Sequence, residues 1–208
     1  MAKIKEVKAR QLIDCKCRPM VEVDVLTENG SLGRGSAPTG SSVGMYESFV
    51  LRDGNPREYD GMSVHKAVKN VNKIIGPALV GKDVFDQAEI DGIMIELDGT
   101  DDKHNLGGNA IYSTSIATFR AAAEEAGQPL YEYIAGGTVK RVPVPSFNVV
   151  NGGRYGGMTQ AFNEFIVMPY GADSIDEAVE IAVKVFQKLG PVIKAYTKRE
   201  PEIGRSYG

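Results

Sequence analysis

The clearest pattern along the chain is an alternation of apolar and acidic residues over positions 20–26. Valines at every second position would face one way and the acids between them the other way, which is the period of a half-buried β-strand. Asn29 and Gly30 follow, and this dipeptide predicts a hairpin turn because both residues tolerate positive φ. With residues 3–13 before it and 31–37 after it, the stretch predicts an antiparallel meander of three strands.

Three stretches with helical spacing come next. Apolar residues recur at helical intervals between Val64 and Ile75, and Gly76 with Pro77 is expected to break that helix. Asp86 is a candidate cap for a second helix. The alanine-rich run at 109–125 predicts a third helix. Helices that follow a meander indicate an α+β domain whose core is made by the apolar stripes.

Two polar loops interrupt these elements. Residues 37–47 are rich in Gly, Ser and Thr, and they fit either a linker or a lid whose amides and hydroxyls meet an anionic or metal-bound ligand. The acids in the loop at 97–109 could suggest calcium. Their spacing does not match an EF-hand loop, so a solvated loop is the favoured interpretation.

Gly136 and Gly137 indicate a domain boundary, which divides the chain into a first domain at 1–137 and the beginning of a second at 138–208. Apolar runs at 142–153 and 163–171 flank a glycine-rich loop and predict two strands of the second domain.

Ser174 and Glu177 form a capping box that begins a helix with a strong apolar stripe. Gly190 and Pro191 are expected to kink or end that helix. Two strands and one helix are too few to close a layer, so we expect an apolar surface that needs cover.

Composition excludes several classes. The net charge of −3 does not indicate binding to nucleic acid or an anionic membrane, and no apolar run reaches the length of a membrane span. The N-terminal residues lack the apolar segment of a secretory signal, so a cytoplasmic protein with reduced Cys15 and Cys17 is expected. The two cysteines with His65 and His104 are only a weak signal for zinc.

Several groups of residues occur in a characteristic order: RQLID at 10–14 with PMVEVD at 19–24, PTGSSVG at 38–44 with YE at 46–47 and LRDG at 51–54, ELDGT at 96–100, GNAI at 108–111, PLY at 129–131 and VPVPSFNVVNGG at 142–153. Together they resemble the N-terminal half of the enolase (phosphopyruvate hydratase) family. The resemblance implies an α+β N-terminal cap followed by the first strands and helix of an enolase-type (β/α)8 TIM barrel.

The resemblance also implies a reaction. Enolases are glycolytic lyases that dehydrate 2-phosphoglycerate to phosphoenolpyruvate, with a lysine base and two magnesium ions. A carbon acid beside a carboxylate is very weak, so concentrated positive charge at the developing enolate is needed to remove its proton. The implied partners are a small phosphorylated carboxylate substrate and a second copy of the chain in a dimer, or a missing half of the barrel.

The resemblance also assigns the family's site roles to individual residues of this chain. Glu164 matches the glutamate that helps to expel the hydroxyl group, and Ser42 matches the lid serine that closes onto the second magnesium. Tyr155 replaces the family's histidine, Ser206 replaces its general-acid glutamate, and Arg205 replaces the aspartate before it. A serine cannot replace a carboxylic acid as proton donor to a leaving hydroxide.

The remaining magnesium ligands and the lysine base belong to later strands of the family's barrel, so we expect the 208 residues alone to be inactive. Two alternatives remain open. The chain could be a non-catalytic enolase-like scaffold. It could also belong to a member of the superfamily that acts on a different carboxylate, which Arg154, Tyr155 and Arg205 would recognise.

Overall fold

The computed structural model describes residues 2–38, 40, 43–153 and 161–201. The chain divides into two compact units, Met1–Val139 and Lys140–Gly208, and each is described by itself.

An antiparallel meander opens the first unit, as the alternating pattern predicts. Its strands are β1 (Ile4–Ile13), β2 (Pro19–Thr27) and β3 (Leu32–Ala37), in the order β1–β2–β3. The alternate valines of β2 are fully buried, and the acids between them lie on the other face. This confirms the predicted strand period and places the core on one side of the sheet.

Helices cover the buried face of the sheet. The longest helix of this unit, α4 (Gly108–Glu125), packs on β3 and β2, and the core residues include Ile75, Ile90 and Met94. A 3-10 turn at Tyr59–Gly61 precedes the helices. In chain order the helices are α1 (His65–Asn70), a π-helical turn (Val71–Ile75), α2 (Gly76–Leu79), α3 (Gln87–Asp98), α4 (Gly108–Glu125) and α5 (Leu130–Ala135).

The expected helix break at Gly76 and Pro77 is wrong. The chain widens into the π-helical turn at Val71–Ile75, where the Gly76 amide donates to the Val71 carbonyl, and continues helically to Leu79. Pro77 therefore stands in the first turn of α2, a position where its missing N–H costs little.

The loop after α3 is solvated at Asp101 and Asp102, as expected, but the expectation is wrong for Asp98 at its beginning. Asp98 is buried, and its carboxylate accepts hydrogen bonds from the Leu106 amide at 2.7 Å, from the Thr100 amide at 3.1 Å and from the Thr100 hydroxyl. Burial raises the pKa of Asp98, but these donors outweigh it and the net pKa is lowered. The carboxylate therefore holds the loop closed.

The second unit contains β4 (Phe147–Asn151), β5 (Glu164–Val167) and α6 (Ile175–Thr197). The Ser174 hydroxyl accepts a hydrogen bond from the Glu177 amide at 3.1 Å, so the predicted cap is confirmed. The helix runs through Gly190 and Pro191 to Thr197, so this pair does not end it.

The apolar face of α6 is largely exposed within this unit. Ala178 and Ala182 are buried, whereas Val179, Val183 and Phe186 are between 42% and 52% exposed. Among the described residues, no helix is long and apolar enough to cross a membrane.

Candidate active site at the edge of β4 and β5

Glu164 is the first residue of β5 and pairs with Asn151, the last residue of β4. Because the two strands are antiparallel, the beginning of β5 lies at the carboxyl end of β4. That is the end at which barrel enzymes place their catalytic groups. The Glu164 side chain is exposed, so its carboxylate is accessible within this unit.

A tight backbone arrangement supports this end of the strand pair. The Gly152 amide donates to the Asn163 carbonyl at 2.8 Å. Gly153 has a φ of 52°, and a Cβ there would stand 1.9 Å from the Asn163 side-chain oxygen. The positive φ favours glycine here, and a side chain at this position would displace the Asn163 side-chain amide, which stands directly before Glu164.

Two further amides lie on β4. The Asn148 side chain donates to the Asn151 side chain at 2.6 Å, and the strand register is irregular between Asn148 and Val150. Such an irregularity redirects side chains and is common beside active sites. The sequence analysis did not single out these amides. The available signal was the position of Asn151 directly before Gly152, together with Asn163 directly before Glu164.

The described residues around Glu164 do not form a magnesium site. No three carboxylate or histidine groups of the described second unit lie close enough together to share an ion. One carboxylate among amides can accept or donate a proton and can hydrogen-bond a substrate hydroxyl. We therefore attribute no step to an ion bound by these residues.

The other predicted site residues, Ser42, Tyr155 and Ser206, lie outside the described residues, and their roles stay predictions. Part of the predicted lid is described on either side of Ser42. Arg18 donates to the Gly40 carbonyl at 3.1 Å, and the Gly44 amide donates to the Glu47 carboxylate at 2.8 Å.

The protein thus combines an α+β unit with a strand pair and helix that carry a glutamate at the strand edge. The family model for the N-terminal domain of enolase matches residues 4–134, and the model for the enolase C-terminal TIM barrel domain matches residues 139–208. An enolase from Methanothrix thermoacetophila is 49% identical over 191 residues, which cover 92% of this chain and 45% of that relative.

The chain belongs to the enolase family. Its α+β N-terminal domain and the start of the barrel domain are confirmed. It spans somewhat less than half the length of this curated relative.

Proposed function

We propose that this protein takes part in the magnesium-dependent dehydration of 2-phosphoglycerate to phosphoenolpyruvate in the cytoplasm. One observation carries the proposal: in a chain of the enolase family, the Glu164 carboxylate lies at the carboxyl end of β4, beside the turn at Gly153. The substrate class is a small phosphorylated carboxylate.

Glu164 has a definite part in this proposal. The reaction removes a proton beside the substrate carboxylate and expels the neighbouring hydroxyl group as water. A carboxyl group within hydrogen-bond reach of that hydroxyl assists its departure by supplying or relaying a proton. Asn151 pairs with Glu164 and Asn163 directly precedes it, and the side-chain amides of both are suited to orient polar groups of the substrate.

In this reaction the magnesium ions and the base that removes the substrate proton are held by groups outside the described residues. The 208 residues by themselves are expected to show no turnover. We also propose that two copies of the protein associate, as the resemblance implies.

A non-catalytic scaffold is the second candidate, and two residues favour it. Ser206 stands in the place of the general acid, and Tyr155 in the place of the histidine. Both hydroxyls hold their protons too firmly to transfer them at neutral pH as a carboxylic acid or an imidazole can.

A chimera tests the two candidates. Residues 1–208 are joined to the part of the Methanothrix thermoacetophila enolase that follows the aligned region, and phosphoenolpyruvate formation is measured by absorbance. We expect magnesium-dependent turnover in the chimera, with Glu164 supplying the proton in place of the acid that Ser206 replaces, and none for residues 1–208 alone. Glu164→Gln should lower kcat by about a hundredfold or more, the usual contribution of a positioned acid or base.

Glu180→Gln is the matched control, because Glu180 is an exposed carboxylate in α6 that pairs with Lys184. It should leave kcat unchanged. A folded chimera without turnover that gains activity only with Tyr155→His and Ser206→Glu would instead establish the scaffold.

A further inference from the structure

Three potential metal ligands meet in the first unit, two in the loop before α1 and one at the first residue of that helix. The carboxylates of Asp53 and Glu58 and the imidazole of His65 each offer a ligand atom, and these atoms all lie within 4.8 Å of one another. This is the one group of its kind among the described residues. Glu58 and His65 are exposed and Asp53 is half-buried, so an ion can enter from solvent.

The backbone brings these distant positions together. The Asp53 amide donates to the Ser63 carbonyl at 2.8 Å, and the Gly54 amide donates to the Gly61 carbonyl at 3.0 Å. These bonds close residues 53–63 into a loop, with Glu58 between its two ends. Gly54 and Gly61 both have positive φ, which allows the chain to turn so tightly.

The Asp53 carboxylate is fixed in orientation. One oxygen accepts the His65 amide and the other accepts the Lys66 amide, each at 2.8 Å. An ionised carboxylate has about four lone pairs, so each oxygen can still bind an ion. Burial raises the pKa of Asp53, but the Lys66 amide, the Ser63 hydroxyl and the His65 amide lower it below its usual value.

Ser63 lies beside the same carboxylate. Its side chain is fully buried, and its hydroxyl interacts with Asp53 closely enough to lower the pKa of that carboxyl group. The hydroxyl nevertheless forms no hydrogen bond of good geometry among the described residues. A buried polar group without a well-aligned partner is costly, and a metal-bound water or a carboxylate reoriented by an ion would supply one.

We propose that Asp53, Glu58 and His65 form a binding site for a first-row divalent transition metal such as Zn²⁺. Imidazole with carboxylates suits zinc and its neighbours, whereas Mg²⁺ prefers oxygen ligands alone. Bonds of about 2.0 Å to a tetrahedral ion place ligand atoms about 3.3 Å apart. The ligand atoms lie within 4.8 Å of one another without an ion, and small rotations of the exposed Glu58 and His65 side chains bring them to the shorter separation. Water completes the coordination.

Titration calorimetry with Zn²⁺ tests the site. The 208-residue chain carries Cys15→Ser and Cys17→Ser in every arm, because two exposed thiols are alternative zinc ligands. We expect one Zn²⁺ per chain, and weaker binding as the pH falls because only neutral imidazole is a ligand. His65→Ala and Glu58→Gln should each weaken binding by at least about tenfold, since loss of even an outer-shell partner costs that much.

His104→Ala is the matched control, because His104 is the only other histidine and pairs with Asp102. It should leave the affinity unchanged. Zinc should also slow tryptic cleavage after Arg57, which lies within the loop. Equal affinity in His65→Ala and the parent, or Mg²⁺ binding as tightly as Zn²⁺, overturns the proposal. Circular dichroism establishes that the variants at these exposed positions are folded. Zinc binding is measured directly, so the test does not depend on the proposed dehydration.

Discussion

Gly33 in β3 lies directly against the carbonyl oxygen of Ala117 in α4. A Cβ at Gly33 would stand 2.0 Å from that oxygen, and a Cβ at Gly35 would stand 2.2 Å from the Ser113 carbonyl oxygen. The strand and the helix thus approach through backbone atoms, with no side chains between them. This close contact sets the distance between the helix layer and the sheet.

Gly35→Ala should therefore destabilise the first unit strongly. The added methyl group meets backbone, which cannot move without shifting α4 or β3, and overpacking against well-packed structure costs about 3 kcal/mol or more in such cases. Chemical denaturation followed by circular dichroism measures the loss.

Gly92→Ala is the control for this effect. Gly92 lies in α3, and nothing stands within 4 Å of the position of its added Cβ. The same substitution should raise the free energy of unfolding there by about 0.5–1 kcal/mol, because alanine favours the helix over glycine. Equal effects at the two positions would refute the close-packing explanation.

Asp98→Asn should lower the stability of the loop after α3. The amide cannot accept all the hydrogen bonds that the carboxylate takes from Thr100 and Leu106, and a buried donor without a partner costs about 1–3 kcal/mol. Hydrogen exchange of the Leu106 amide measures the local effect. Asp101→Asn, at an exposed position of the same loop, should leave that exchange rate unchanged.

The ion-pair network on the other face of the sheet predicts a pH dependence. Arg34 donates to the Asp24 carboxylate at 2.6 Å and Arg10 donates to it at 2.7 Å. Hydrogen bonding from Arg34 is the largest cause that lowers the pKa of Asp24, from 3.8 to about 2, against the effect of burial. A lowered native pKa stabilises the fold above pH 3.8, and this contribution is lost as the pH falls toward 2.

Asp24→Asn should thus reduce the free energy of unfolding by about 1 kcal/mol at neutral pH, since solvent screens the half-exposed Arg34. The difference from the parent should shrink as the pH falls through about 2, the native pKa of Asp24, and vanish below it. High salt should shrink the neutral-pH difference. A difference that is constant across this pH range would contradict the assignment.

Local patterns in the sequence were sufficient for most elements of the fold. Alternating valines predicted β2, and the caps at Asp86 and Ser174 were found where expected, with the Glu89 amide donating to Asp86 at 3.0 Å. The helix end at Gly76 and Pro77 failed because the preceding π-helical turn changes the hydrogen-bond register. Val71 and Ile75 begin and end that turn and are both buried, and apolar spacing alone does not distinguish an α-helical turn from a π-helical one.

The candidate sites depended on contacts between distant residues. Glu164 lies near the start of the strand predicted at 163–171 and is the first residue of β5, while its catalytic part stays a prediction. The group of Asp53, Glu58 and His65 was not visible in the sequence, because backbone hydrogen bonds of the loop at 53–63 bring its members together.

The exposed apolar face of α6 predicts self-association of the 208-residue chain. Val179, Val183 and Phe186 follow one another at helical spacing and are each more than 40% exposed. A contiguous apolar surface on a helix favours contact with another apolar surface, since burial removes it from water. Light scattering should therefore show a mass that rises with concentration.

Phe186→Lys should shift this equilibrium toward the monomer, because a charged ammonium group cannot be buried without a partner. Gln187→Lys introduces the same side chain at the next position, which is exposed and polar, so its effect should be small. The comparison separates loss of the apolar face from the general effect of an added charge. A parent chain that remains monomeric at all concentrations would contradict the prediction.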